Sequence, residues 1–265
     1  MTGEPYILLA HGGAGSNNAH SDGTERACRL GLEALRDGTP VLEAACRAVA
    51  VLEDDPRFNA GTGCRQRSDG SIRMDASCMD SDHRFGAVAA IQRIQNPVHV
   101  ARAVAGSPHR LLTGGDAHQF ALEMGFEAAD MTGSESRDTV TDTVGAVVFD
   151  GERFAAALST GGTGGSRPGR VGDVPLFGCG LYAGTHGAVA ATGNGESITL
   201  NLTAYRTYEL LERGIAPQEV LQTALGWFEE PQDAGLLIVS RAGYAGGSNR
   251  SMAWSALTGD APPGT

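Results

Sequence analysis

Apolar positions recur along the chain with two different periods, and together they predict a mixture of helices and strands. Apolar residues at helical spacing predict amphipathic helices over residues 24–36, 41–52, 98–104, 111–124, 197–211 and 217–228. Short apolar runs predict strands at 6–10, 85–91, 143–149, 154–158, 188–192, 235–239 and 252–257. The last residues, 259–265, have no such pattern and are expected to form a frayed tail.

The order of these elements indicates the fold class. Strands and helices occur in groups instead of alternating strictly, which favours an α+β protein with layered sheets over a doubly wound sheet. Asp150 and Gly151 separate two apolar runs, and this dipeptide predicts a hairpin between the strands at 143–149 and 154–158. The chain shows no internal repeat, and its length suits a single domain spanning residues 1–265.

Composition removes several kinds of chemistry. All 20 basic residues are arginine, so no Schiff-base lysine, Ser–Lys dyad or P-loop lysine can exist. The net charge of −11, without a basic stripe, argues against nucleic acid and anionic membrane as partners. The 5 cysteines and 7 histidines are scattered without metal-ligand spacing, so neither a disulfide framework nor a metal site with side-chain ligands is expected.

The sequence also bears on location. The residues before the first glycine cluster are too few for the hydrophobic and cleavage regions of a signal peptide. No run reaches the ~20 apolar residues of a membrane-spanning helix. Scattered cysteines without a disulfide framework are expected to be reduced, as in the cytoplasm. Together these features lead to the expectation of a cytoplasmic protein without a membrane partner.

Polar residues flanked by glycines form the candidate site. Thr143 opens a predicted strand after the turn-rich stretch 130–142, so the Asp142–Thr143 peptide bond is expected to be accessible. Downstream lie the segments 159–162 (STGG), 170–173 (RVGD) and 192–196 (TGNGE). Glycines on either side of a polar residue are a common way to direct side chains and backbone N–H groups at a ligand.

Six motifs along the chain resemble one family, the N-terminal-nucleophile hydrolases of the plant-type asparaginase and isoaspartyl peptidase group. They occur in the order of that family and are HGGAG from His11, FNAGTG from Phe58, DTVGAVVFD from Asp142, STGG from Ser159, PGRVGDVPLFGCGLYA from Pro168 and ATGNGE from Ala191. The resemblance implies a four-layer αββα sandwich that cleaves itself into residues 1–142 and 143–265. It also implies a homodimer of these two-chain units, and it allows a structural sodium ion bound by backbone carbonyls of the loop 52–62. No other cofactor is expected.

The resemblance assigns a catalytic role to five residues. Thr143, freed by cleavage after Asp142, is similar to the nucleophile, and its own α-amine, with an ordinary pKa of about 7.7–8.0, would act as the general base. Thr160 corresponds to the residue that orients the nucleophile, and Asn59 to the asparagine beside it. Thr192 and the N–H of Gly193 correspond to the oxyanion hole.

The resemblance also implies a binding site for the amino-acid end of a small-molecule substrate. Arg170 would hold the α-carboxylate and Asp173 the α-ammonium, a pairing that suits their charges. Further binding residues are expected among their neighbours, which are Val171, Gly172, Thr192, Gly193, Asn194 and Gly195. The expected activity is hydrolysis of L-asparagine and β-aspartyl (isoaspartyl) peptides, with release of L-aspartate.

Two features leave alternatives open. Asp142 stands where asparaginase-type members usually carry glycine, and an Asp-Thr junction is similar to the related glycosylasparaginases. The segment 163–166 (TGGS) also replaces bulkier, basic residues of the family. Hydrolysis of glycosylated asparagine is therefore the second hypothesis. A non-catalytic member of the family that acts as a binding protein is the third.

Overall fold

The computed structural model describes residues 5–133 and 143–260. Their strands are β1 (Tyr6–Ala14), β2 (Met74–Asp80), β3 (Phe85–Ile91), β4 (Leu111–Thr113), β5 (Val144–Phe149), β6 (Phe154–Thr160), β7 (Leu181–Gly184), β8 (Gly187–Gly193), β9 (Ala234–Ser240), β10 (Gly243–Ser248) and β11 (Met252–Gly259). Their α-helices are α1 (Ser21–Arg36), α2 (Val41–Glu53), α3 (Pro97–Ala105), α4 (Gly114–Glu123), α5 (Gly195–Asn201), α6 (Thr203–Glu212) and α7 (Pro217–Leu225).

The described strands form two sheets that pack face to face. The larger has seven strands in the order β11-β1-β5-β6-β2-β3-β4, and the smaller has four in the order β10-β9-β8-β7. Neighbouring strands are antiparallel except for β3 and β4, which run parallel. Helices α1 to α4 pack on the outer face of the larger sheet, and α6 and α7 pack on the smaller one. The four-layer αββα sandwich predicted from the sequence is therefore confirmed.

The central strands are apolar on both faces because each face meets a different core. In β1, Leu8 and Ala10 pack against the helices α1 and α2, whereas Ile7 and Leu9 pack between the two sheets. A strand covered on both sides reads as a continuous apolar run, in contrast to the alternation of a half-exposed strand. This explains why such runs predicted the strands β1, β3 and β5 directly.

Small residues let the layers approach closely. A Cβ atom on Gly86 of β3 would lie 2.2 Å from the Ala101 carbonyl oxygen and 2.3 Å from the Ala105 nitrogen of α3. Carbon atoms cannot approach backbone atoms this closely, so any side chain at position 86 would push the helix away from the sheet. The abundance of glycine and alanine thus reflects packing as well as turns.

The secondary structure predicted from the sequence is right for most elements and wrong at a few. The hairpin of β5 and β6 is confirmed. Strands β2, β7 and β10 were missed, because aspartate, glycine and tyrosine interrupt their apolar runs. The predicted helix 197–211 is two helices, since Leu202 adopts a left-handed conformation with φ of 48° between α5 and α6. The predicted helix 111–124 begins with the short strand β4.

Two expectations concern the chain as a whole. Within the described ranges, no helix is both long enough and apolar enough to cross a bilayer. The division into residues 1–142 and 143–265 stays a prediction, because Asp142 lies outside the described residues.

Candidate active site

Thr143 and Thr160 are brought together by the hairpin of β5 and β6. Thr143 immediately precedes β5 and is 6% exposed. The register of the hairpin pairs Val144 with Ser159, so one step further Thr143 lies beside Thr160 at the end of β6. The Thr160 hydroxyl oxygen accepts the amide of Gly162 at 2.9 Å. Its hydroxyl hydrogen is thereby left free to donate to a neighbouring oxygen.

A cleft of about 260 Å³, which includes its part open to solvent, surrounds these two threonines. The cleft is lined by Asn59, Thr143, Thr160, Gly162, Thr163, Arg170, Gly172, Asp173, Gly193 and Gly195. Four of them, Arg170, Gly172, Asp173 and Gly195, contact one another and form what we call the charged half. Asn59, Gly162 and Thr163 form what we call the loop half.

Arg170 presents a guanidinium group at the charged half and is held by one carboxylate. Its Nε and Nη2 donate to the two oxygens of Glu196 at 2.9 and 2.8 Å. A Cβ atom on Gly195 would lie 2.8 Å from Nη2, and one on Gly172 would lie 3.0 Å from Nη1. The glycines therefore leave the guanidinium open to the cleft, and the bidentate pair fixes its orientation.

Asp173 is the buried carboxyl group of the charged half. It is 4% exposed, and its Oδ2 has no hydrogen-bond partner among the described residues. Burial raises the pKa of Asp173 to about 7, and the charge of Arg170 opposes the shift only in part. A buried carboxylate without a partner is unfavourable, so this position suits a cationic group of a ligand.

The loop half is held in shape by hydrogen bonds of Asn59. This residue is 2% exposed. Its Nδ2 donates to the carbonyl of Gly162 at 2.8 Å, and its Oδ1 accepts the amide of Arg65 at 2.9 Å. The backbone carbonyl of Asn59 also accepts the amide of Gly161 at 2.8 Å. Asn59 thus joins the loop after α2 to the loop after β6, next to both threonines.

The end of β8 brings Thr192 and Gly193 to the same region. Thr192 is fully buried behind the cleft surface, and its hydroxyl oxygen accepts the amide of Ala14 at 3.1 Å. That bond leaves the hydroxyl hydrogen available as a donor. Gly193 lines the cleft with φ of 133°, a conformation that glycine adopts without strain. A Cβ atom there would lie 2.0 Å from the Asp233 carbonyl oxygen.

Besides Thr192, which lies behind the cleft surface, two of the expected binding residues do not line the cleft. Val171 is 37% exposed at the surface beside it. The side chain of Asn194 caps helix α5, where its Oδ1 accepts the amide of Ser197 at 2.9 Å. A capping asparagine satisfies a free N–H of the first helical turn, which accounts for this residue without a ligand. The expected cleavage residue Asp142 lies outside the described residues.

Three buried polar residues next to the cleft were missed in the sequence. Asp75 pairs with Thr160 in the sheet, and burial raises its pKa to about 6. Burial lowers the pKa of His11 to about 3, against the opposing effect of the Thr143 backbone, so the imidazole is neutral. Arg67 is 3% exposed behind Gly162. Charged residues in glycine-rich or broken apolar runs resemble surface positions, and only the tertiary packing distinguishes them.

Clusters of His, Cys, Asp or Glu side chains are the usual protein ligands of a metal ion. Within residues 5–133 and 143–260, no group of three His, Cys, Asp or Glu side chains is arranged to hold a metal ion. That result concerns side-chain ligands only. The sodium ion expected at backbone carbonyls of the loop 52–62 stays a prediction.

The chain is similar in sequence to a family of known proteins. The family model described as Asparaginase matches residues 4–139 and 130–262, which together cover nearly the whole chain. The chain belongs to this asparaginase family. The resemblance noted in the sequence is thereby confirmed, and so is the prediction of an asparaginase-type hydrolase.

Curated relatives match over most of their length. The isoaspartyl peptidase/L-asparaginase of Homo sapiens is 37% identical over 286 residues, covering 95% of this chain and 92% of the relative. The protein of the same name from Macaca fascicularis is 36% identical over 285 residues, with the same two coverages of 95% and 92%. The plant-type L-asparaginase of Pyrococcus furiosus is 34% identical over 281 residues, covering 90% of this chain and 91% of the relative.

Proposed function

We propose that this protein is a self-processing amidohydrolase that cleaves L-asparagine and β-aspartyl peptides and releases L-aspartate. The observation that carries the proposal is the position of Thr143 beside Thr160 in a cleft that also holds Arg170 and Asp173. The family and the names of its relatives support the same reaction class.

The proposed reaction begins with the free amine of Thr143 after cleavage of the bond to Asp142. This amine takes the proton of the Thr143 hydroxyl, whose oxygen attacks the side-chain carbonyl carbon of the substrate. The leaving amine departs with a proton, and water then releases aspartate from the acyl-enzyme. In this scheme Thr160 orients the nucleophile through its free hydroxyl hydrogen.

Charge complementarity supports the choice of an aspartyl substrate. The guanidinium of Arg170 suits an α-carboxylate, since Nη1 is not engaged by Glu196. The buried carboxyl of Asp173 gains a partner when an α-ammonium group binds, which removes the cost of leaving it unpaired. The hydroxyl of Thr192 and the N–H of Gly193 are proposed to stabilise the oxyanion, where such donors contribute several kcal/mol.

The experiment follows processing and hydrolysis together. Intact-mass analysis and N-terminal sequencing of the purified protein are expected to show fragments 1–142 and 143–265, the second beginning with Thr143. The processed enzyme is then assayed with asparagine, a β-aspartyl dipeptide and a glycosylated asparagine. A chain that stays uncut, or hydrolysis of the glycosylated substrate alone, would contradict the proposal.

We also propose an assembly and a location. The family resemblance supports a homodimer of processed two-chain units, and the free cysteines support the cytoplasm. Size-exclusion chromatography with light scattering measures the first, and cell fractionation the second.

A further inference from the structure

Arg67 is a buried cation next to the candidate active site. It is 3% exposed. Its Nη1 donates to the Ser166 hydroxyl at 2.6 Å and its Nη2 to the Arg73 carbonyl at 2.9 Å, while Nε has no partner among the described residues. None of the ion pairs between described residues includes this guanidinium. A buried charge that lacks an ion pair is unfavourable unless a ligand of opposite charge offsets it.

The guanidinium lies directly behind the loop half of the cleft. A Cβ atom on Gly162 would be 2.5 Å from both Nη1 and Nη2 of Arg67. Gly162 itself lines the cleft, so only its main chain separates the positive charge from the cleft. Ser166, which binds Nη1, belongs to the same loop as Thr163, another residue of the cleft wall.

Asp75 is the buried carboxyl group whose charge acts on Arg67. Burial lowers the pKa of the Arg67 guanidinium, and the charge of Asp75 opposes that shift in part. The two groups form no ion pair, since Asp75 Oδ1 accepts the Ala90 amide at 2.7 Å, and the charges of Arg67 and Arg170 both stabilise its ionised form against the effect of burial. The negative charge of Asp75 is therefore shared between two guanidinium groups, which leaves positive charge at Arg67 for an anion in the cleft to offset.

We propose that Arg67 makes the loop half a subsite for anionic leaving groups. This inference rests on the proposed function. When the charged half holds the aspartyl α-carboxylate and α-ammonium, and Thr143 attacks the side-chain carbonyl, the leaving group extends into the loop half. The leaving amino acid of a β-aspartyl dipeptide carries an α-carboxylate there, whereas asparagine loses only ammonia. Arg67 thus selects isoaspartyl peptides through the free carboxylate of their second residue.

The test compares β-aspartyl-leucine with its C-terminal amide, which lacks only the negative charge. The measured quantity is the ratio of their kcat/KM values in the processed enzyme. The leaving-group carboxylate is attracted to the Arg67 guanidinium, and solvent screens this attraction in part. We expect it to give a preference of about tenfold in kcat/KM for the free carboxylate. In Arg67→Gln, which keeps hydrogen-bond donors and loses the charge, the ratio is expected to fall to about one.

Two variants serve as controls. Arg67→Lys keeps the positive charge and is expected to retain most of the preference. Arg73→Gln removes a nearby arginine whose Nε donates to Ser71, outside the cleft lining, and is expected to leave the ratio unchanged.

The outcomes separate this inference from the proposed function. A wild-type ratio near one, or an unchanged ratio in Arg67→Gln, overturns the role of Arg67. If Arg67→Gln does not fold, a wild-type ratio near one still overturns the role of Arg67. Failure of the processed wild type to hydrolyse asparagine, the dipeptide and the amide overturns the proposed function and this inference with it.

Discussion

Replacing Asp173 by asparagine is expected to reduce activity and at the same time to stabilise the protein at alkaline pH. The side chains have the same shape, so the change mainly removes a negative charge. An α-ammonium group then loses its counter-ion in the cleft. We expect kcat/KM for asparagine to fall by roughly 10²–10³-fold, the effect of losing one partner of a buried charge pair.

The stability effect follows from the position of the carboxyl group in the free protein. Burial raises the pKa of Asp173 from 3.8 to about 7. The folded state therefore holds this proton between pH 3.8 and 7, where the unfolded chain releases it, and stability falls as the pH rises through that range. Since a difference of one in pKa corresponds to about 1.4 kcal/mol, burial of this group costs about 4 kcal/mol above pH 7 and about 2 kcal/mol at pH 5.

The assay is urea unfolding at pH 5 and pH 8, performed in a Thr143→Ala background so that a single uncut chain unfolds. The buried amide that Asp173→Asn introduces lacks a partner as well, and this costs about 1–3 kcal/mol of unfolding free energy at both pH values. The difference in unfolding free energy between Asp173→Asn and its parent should therefore rise by about 2–3 kcal/mol from pH 5 to pH 8. An equal difference at both pH values would refute the reasoning, because it would mean that the carboxylate is fully compensated in the free protein.

Three further predictions follow from other residues of the site and its surroundings. Thr143→Ala should abolish both hydrolysis and processing, the latter measured by intact mass. Thr143→Ser should retain part of each because it keeps a hydroxyl nucleophile. Unchanged hydrolysis by the alanine variant would point to another enzyme. Gly193→Ala should lower the unfolding free energy by about 3 kcal/mol or more, because its Cβ would lie 2.0 Å from the Asp233 carbonyl oxygen and φ is 133°. A thermal midpoint equal to that of the wild type would contradict this. Burial raises the pKa of Glu53 to about 8 from 4.5, so the stability of the uncut Thr143→Ala chain should fall as pH rises through that range. Glu53→Gln in the same background should reduce this fall, and parallel urea-unfolding profiles of the two chains from pH 4.5 to 8 would argue against it.

Much of the site could be predicted from the sequence because its residues lie in short local motifs. Thr143, Thr160, Arg170 and Asp173 each stand in or beside a glycine-containing segment, and the hairpin that joins the first two was visible in the Asp150–Gly151 turn. The hairpin followed from a local rule, and the resemblance of these segments to the family's motifs indicated which residues form the site. The assigned roles stay predictions until processing and hydrolysis are measured.

Other parts of the fold could not be predicted because they depend on distant contacts. Strand β2 contains two aspartates, and its burial follows from its place between β3 and β6. The break between helices α5 and α6 at Leu202 contains no glycine or proline from which it could be predicted. Thr203 stabilises the break by donating its hydroxyl hydrogen to the Ile198 carbonyl. Asn194 was expected to contact the substrate, and in the structure its side chain caps a helix.

The sequence by itself indicated the layered fold class, and its resemblance to the asparaginase family implied the reaction chemistry and the nucleophile candidate. Apolar periodicity and short motifs are properties of neighbouring positions, so they can be recognised in the sequence without knowledge of the fold. The tertiary structure decided the burial of Asp173 and Arg67, the pairing of Arg170 with Glu196, and the position of Arg67 beside the cleft. These properties depend on which groups approach from distant parts of the chain, because charge and pKa respond to the local dielectric and to neighbouring charges.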